Sequence, residues 1–166
     1  MSERFATVEV GTVGTLMVAA DARGVYLCDW LHGRHDLSRV RLRDDSAASG
    51  SILREAVRQL GEYLSGERRE FTVPLCADGT IFQHAVWDAL RGIPYSTTTT
   101  YQAIAAAIGR PTAVRAVAHA IASNPLSILI PCHRVLPSTG SIGNYAGHPA
   151  AKRYLLQLEA TGRQPD

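Results

Sequence analysis

Cysteine is scarce in this chain and badly spaced for structural work. Among 166 residues only Cys28, Cys76 and Cys132 occur, an odd number set far apart, with no Cys-x-x-Cys pair and no histidine at a zinc-ligand spacing. Neither a disulfide framework nor a metal site is expected, and a reducing compartment suits three free thiols best. Long apolar runs are also missing. None approaches the roughly 20 residues that cross a bilayer, and Met1-Ser2-Glu3-Arg4-Phe5 lacks a signal-peptide core, so the expectation is a cytoplasmic protein with no membrane partner. Charge is modest, 19% of residues with a net +2, which neither demands nor excludes nucleic acid.

What is present is enough apolar material, 46% of residues, for one domain or two small ones. Residues 1 to 30 alternate and turn as a β-meander of at least three strands: Ala6 to Val10, Thr15 to Ala20 and Val25 to Trp30. A charge-rich stretch from His32 to Asp45 carries Arg34, Arg39, Arg41 and Arg43 against Asp36, Asp44 and Asp45, and reads as solvated surface. Ala47 to Ser51 reads as a small-residue loop, with Ser51 capping a helix from Ile52 to about Ser65 that Gly66 ends. Phe71 to Leu75 reads as one more strand. These elements make a small α/β domain over residues 1–77.

From residue 78 to 166 the pattern turns mainly helical. Phe82, Val86 and Leu90 line one helix face, and Gly92 and Pro94 end that helix. Tyr101, Ile104, Ala105 and Ile108 mark a second helix stopped by Gly109. Thr112 can cap a third, reaching to about Ala122. Two short helices joined by a glycine-containing turn are a helix-turn-helix candidate. In the third helix Val114, Val117, Ala118 and Ile121 should form the buried stripe, which leaves Thr112, Arg115, Ala116 and His119 facing outward. A face of small residues with one arginine suits close approach to DNA.

The segment Leu126-Ser127-Ile128-Leu129-Ile130 reads as a short buried strand that lapses at Pro131, because proline cannot donate to a ladder. Cys132 follows at the element's end. Taken alone it is a small buried hydrophobe, but its neighbours are Pro131, His133, Arg134 and Val135. Consecutive side chains of an extended segment point to opposite faces, so direct contact between Cys132 and His133 is not expected without a kink, and a bridging water would carry the proton.

The box Pro131-Cys132-His133-Arg134-Val135 resembles the reactive-cysteine motif of the O6-alkylguanine-DNA alkyltransferase family. The resemblance extends in order from Phe82-Gln83 and Val86-Trp87 through Ile93-Pro94-Tyr95, Thr100-Tyr101, Arg115-Ala116-Val117, Asn124-Pro125 and Gly143-Asn144-Tyr145-Ala146-Gly147 to Lys152 and Glu159, about half of the chain. It implies a ribonuclease-H-like N-terminal domain without a catalytic role and a C-terminal domain with a winged helix-turn-helix-like motif. It implies a monomer that repairs double-stranded DNA containing O6-alkylguanine, with O4 of alkylated thymine as a second candidate. The alkyl group passes irreversibly to Cys132 after the base has been flipped, and no cofactor is needed.

The same resemblance supplies roles. Glu159 would orient His133, which draws the thiol proton through water, and Asn124 would be the hinge tying the helix-turn-helix to the reactive segment. Tyr101 would donate to N3 of the base, and the Ala146 N–H would approach O6. The carbonyls of Cys132 and Val135 would accept from the exocyclic amine. Tyr145, Ser127 and Lys152 complete the base pocket, Thr112, Ala116, His119 and Tyr101 the DNA-facing set, and Arg115 would enter the gap left by the extruded nucleotide. The chain departs from the family at Ser96 and His148, where glycine is usual, at His119, usually small, and at Ser127. Other readings are an alkyltransferase-like lesion binder without transfer, a redox-sensing helix-turn-helix regulator, and a cysteine hydrolase. Cys132 argues against the first. The second lacks a nearby resolving cysteine or a dimerisation helix, and the third leaves the helix-turn-helix and the Asn-Pro hinge unexplained.

Overall fold

The meander forms as its alternation requires. In the computed structural model β1 (Ala6–Val10), β2 (Gly14–Asp21) and β3 (Gly24–Trp30) make an antiparallel sheet in the order β1-β2-β3. The structure describes residues 4–43 and 46–166. The chain's first three residues, read above for a signal, and the acidic pair Asp44 and Asp45 lie outside the described residues. Every residue of β3 is buried, because one face of the sheet takes a helix and the reactive segment lies along its edge.

That helix, α1 (Ala47–Leu64), is capped by Ser46, not Ser51: the Ser46 side chain accepts from Ser49 N. The stretch read as a small-residue loop is its first turn, where Ser49 and Gly50 are buried. Phe71 to Leu75 is not a strand either. Only Leu75 pairs, in a single parallel bridge to Val25. Proline at 74 removes the donor that a ladder would need there.

In the second half α2 (Ile81–Arg91) starts in a capping box, Thr80 with Gln83. It packs on α3 (Tyr101–Ala107) and α4 (Val114–Ala122). β4 (Thr99–Thr100) and β5 (Val135–Leu136) form a short parallel pair, and α5 (His148–Thr161) closes the chain. Thr112 is exposed and caps nothing; α4 begins after Ala113 without a side-chain cap. The buried side of α4 is Val117, Ala120 and Ile121, with Val114 and Ala118 only half-buried. Ala120 takes the core position expected of Ala118, and Trp87 Nε1 donates to its carbonyl at 2.9 Å. Among the described residues no helix is long and apolar enough to cross a membrane.

Candidate active site

Asn124 joins the end of α4 to the reactive segment. It donates Nδ2 to the Ile130 carbonyl at 3.0 Å and accepts from Leu126 N at 2.9 Å. The residues between are a turn, not the expected strand. Ile130 N donates to Leu126 O at 2.8 Å, and Ile128 is left-handed at φ 71. A β-branched residue held there stores backbone strain. The turn is stitched to β3 by Cys28 N to Pro125 O at 2.8 Å and Ser127 N to Cys28 O at 2.7 Å. An apolar run reads alike as a buried strand or a buried turn, so the pattern could not separate them.

Cys132–Arg134 form one 3-10 turn, which spreads successive side chains by about 120° instead of 180°. Cys132 therefore faces a cavity of about 290 Å³ while His133 and Arg134 both reach Glu159 of α5. The cavity wall includes Tyr101 at the start of α3, Ala118, Ile121 and Ala122 of α4, Asn124, and Asn144, Tyr145 and Ala146. Its volume is at the small end of ligand sites.

Burial pushes the Cys132 thiol up to about 11, partly offset by the Asn124 hydrogen bond and the charge of Lys152. At neutral pH it is a thiol, so reaction needs a base. Burial pulls the His133 pKa down, opposed by its hydrogen bond to Glu159. His133 Nε2 lies 2.7 Å from Glu159 Oε2. A nitrogen facing a carboxylate carries the proton, so Nδ1 holds the lone pair. That Nδ1 is buried without a hydrogen-bond partner among the described residues.

Glu159 is 3% exposed yet ionised. Burial pushes its pKa up, but hydrogen bonds from His133, Arg134 and Tyr63 outweigh burial and hold it well below the usual carboxylate range. Arg134 donates Nε to Oε1 at 2.8 Å and Nη2 to Oε2 at 2.9 Å, the two-pronged geometry that suits a guanidinium. Ser96 N donates to Oε1 at 3.2 Å and the Tyr63 hydroxyl to Oε2 at 2.5 Å.

Lys152 is buried, with Nζ 2.7 Å from the Val135 carbonyl and 3.4 Å from that of Asn144. Burial lowers its pKa to about 8. The Cys132 carbonyl already accepts from Val135 N. Ser127, Val135 and Lys152, expected in the base pocket, are buried and are not among the residues that line the cavity. Tyr145 is buried with its hydroxyl 3.2 Å from Trp30 Nε1.

Thr112, Arg115, Ala116 and His119 are all exposed on one side of the helix-turn-helix. The sequence reading missed Arg134, Tyr63 and Arg34. Arg34, placed among solvated charges, lines the mouth of the cavity, and its Nη2 is 3.2 Å from Asn144 Oδ1. Arg134 stood inside the quoted box, and its place next to His133 was the available signal. Tyr63 offered only an aromatic three residues beyond Leu60 on a helix face.

Two family models match the chain: 6-O-methylguanine DNA methyltransferase, ribonuclease-like domain, over residues 11–77, and 6-O-methylguanine DNA methyltransferase, DNA binding domain, over residues 81–161. The chain is similar to a methylated-DNA–protein-cysteine methyltransferase of Methanosarcina barkeri, 42% identical over 147 residues that cover 89% of this chain and 91% of that protein. It is also similar to the inducible methylated-DNA–protein-cysteine methyltransferase of Bacillus subtilis, 50% identical over 133 residues, or 80% of this chain and 71% of that one. The fold matches the crystal structure of Mycobacterium tuberculosis OGT in complex with DNA, with a TM-score of 0.83 at 35% identity over 96% of this chain and 94% of that one.

Proposed function

The chain belongs to the 6-O-methylguanine DNA methyltransferase family, and from that premise we propose that it repairs DNA by moving the alkyl group from O6 of guanine onto its own Cys132, once per molecule. One observation supports this most: Cys132 faces a base-sized cavity while the adjacent His133, held by Glu159, keeps Nδ1 unclaimed. A water between Sγ and Nδ1 would pass the thiol proton to the imidazole, and the ionised Glu159 would stabilise the imidazolium.

The thiolate then attacks the alkyl carbon in line. The S–C bond forms, the C–O6 bond breaks, and its electron pair goes to the guanine, which takes up one proton to leave neutral. The thiol proton has in effect moved to the base. Hydrogen-bond donors at the ring lower the barrier as negative charge develops there. Tyr101 lines the cavity and would be the donor, its pKa raised by burial and by Cys132 so that it stays protonated. The thioether is stable, so each copy of the chain acts once, and the displacement as written calls for no metal and no cofactor.

DNA is the partner, through the helix-turn-helix. A base in a duplex hides O6 in the stack, so the nucleotide must be extruded before Cys132 can reach it. Arg115 is assigned to the gap, with Thr112, Ala116 and His119 against the backbone. The test is to incubate the protein with duplex DNA bearing O6-methylguanine and measure its mass. One added methyl on Cys132, and none with Cys132→Ser, is expected. Methyl on Cys28 or Cys76, or turnover beyond one equivalent, would overturn the assignment.

A further inference from the structure

The N-terminal half carries no residue of the transfer step proposed above, yet one of its side chains reaches the centre of the relay. Tyr63 sits on α1, is fully buried, and donates its hydroxyl to Glu159 Oε2 at 2.5 Å across 96 residues of sequence. The same oxygen takes His133 Nε2 at 2.7 Å and Arg134 Nη2 at 2.9 Å. Three donors therefore converge on the one carboxylate oxygen that faces the histidine. The ring is fixed by its neighbours, with Phe71 at 5.4 Å and Tyr95 edge-on at 6.2 Å between centroids. Burial raises the Tyr63 pKa well above the ordinary phenol value, so the hydroxyl stays a donor at any working pH.

Resting on the relay reading, we infer that Tyr63 is a positioning residue for alkyl transfer: its hydroxyl shares Glu159 Oε2 with His133, fixes the carboxylate's orientation and draws off part of its charge. The physical consequence follows from competition at one oxygen. A carboxylate bound by several donors is a weaker acceptor for each of them. With Tyr63 and Arg134 in place, Glu159 holds the imidazole without taking its proton, and His133 remains a mild base. Without the hydroxyl, charge concentrates on Oε2, the bond from Nε2 strengthens and His133 becomes more basic. The charged groups acting on His133 are Glu159, Arg134 and Lys152, and those around Glu159 include Tyr63, with Tyr95 close by. Tyr63 is the contribution of the N-terminal half to this set.

The test is Tyr63→Phe, which removes one oxygen and keeps the ring. Two readouts are taken: the Nε2–H proton resonance of His133 by NMR, and the pH profile of single-turnover transfer from O6-methylguanine duplex with protein in excess. The resonance should move downfield as the bond to Glu159 strengthens, and the acid limb of the profile should rise by about 0.5 to 1 pH unit. Replacement of Tyr63 by 3,5-difluorotyrosine, a stronger donor of the same shape, should move both in the opposite direction and serves equally if the phenylalanine variant does not fold. A resonance that stays in place, or a rate loss equal at every pH, would overturn the inference and leave Tyr63 as packing alone. The parallel variant His133→Asn separates the two levels. If it transfers at the wild-type rate, the relay reading itself has failed; if it is slow while Tyr63 moves neither readout, only the inference on Tyr63 has failed.

Discussion

His35 Nδ1 lies 2.6 Å from Asp29 Oδ2, and its other ring nitrogen, Nε2, lies 2.8 Å from the Ala122 carbonyl at the end of α4. Both partners are acceptors, so the ring satisfies both only as the cation, which also suits a helix C-terminus. The hydrogen bond to Asp29 raises its pKa against the opposing effect of burial. A raised folded-state value means that this stabilisation is complete below the unfolded pKa of about 6.5 and fades as pH rises through the folded value. Unfolding midpoints of wild type and His35→Gln should therefore differ most near about pH 6 and converge towards about pH 9. A gap that does not change with pH would show that the cation is not what binds the sheet to α4.

The relay has its own test, shaped by Arg134. Glu159→Ala would strand that buried guanidinium, at a cost of about 3–5 kcal/mol, and confuse folding with chemistry. Glu159→Gln keeps the shape and one accepting oxygen but also loses the counter-charge of Arg134, so the rate is read only on protein whose unfolding midpoint shows it folded. His133→Asn and Glu159→Gln should each slow transfer by about 10²- to 10⁴-fold. The double variant should be little worse than the slower single, since residues acting as one unit are non-additive. Losses that multiply would place the two side chains on separate paths.

Legibility in the sequence followed the range of the interaction. Helix α2 was readable because Gly92 and Pro94 mark its end, and α3 because Gly109 stops it. The reactive box, Asn124 and Glu159 were readable because they form an ordered motif. The first turn of α1 was not. Ala47 to Gly50 are small residues that resemble a loop, and the Ser46 cap together with the burial of Ser49 and Gly50 makes a helix of them. The turn at Ile128 is hidden inside an apolar run, and the 3-10 turn over Cys132–Arg134 is too short to leave a periodicity. Tyr63, Arg34 and His35 act on partners 87 to 110 residues away or, for Tyr63, 96 residues away, and no local periodicity encodes a pairing at that distance.

Two departures from the family gain a physical meaning. Ser96 and His148, where glycine is usual, both sit in the left-handed region, at φ 64 and φ 68. A residue with a Cβ is strained there by roughly 1–3 kcal/mol, while glycine returns about 0.4–1 kcal/mol of unfolded-state entropy. Ser96→Gly should raise stability by about 1 kcal/mol and leave transfer intact, because the bond to Glu159 comes from the backbone N–H. His148→Gly should gain less, since it gives up a 3.2 Å contact from Nε2 to the His32 carbonyl. Urea midpoints read both, and a lower midpoint for Ser96→Gly would mean that its side chain contributes more than the strain costs.

Arg115 separates DNA handling from chemistry. It is exposed on α4, on the outward face, and is absent from the wall of the Cys132 cavity. If it fills the space left by the extruded nucleotide, its contribution offsets unstacking and unpairing, worth a few kcal/mol, and has no part in attack on the alkyl carbon. Arg115→Ala should then react with free O6-methylguanine base nearly as well as wild type, because a free base needs no flipping. Repair of the same lesion in a duplex should fall about 10- to 1000-fold, the equivalent of those few kcal/mol. A single-stranded substrate should fall between the two, since stacking remains but pairing is gone. Equal slowing on all three substrates would place Arg115 in the pocket or in folding, and the gap-filling role would then have to pass to another exposed residue of the same face, with His119, one turn along the helix, the first to test.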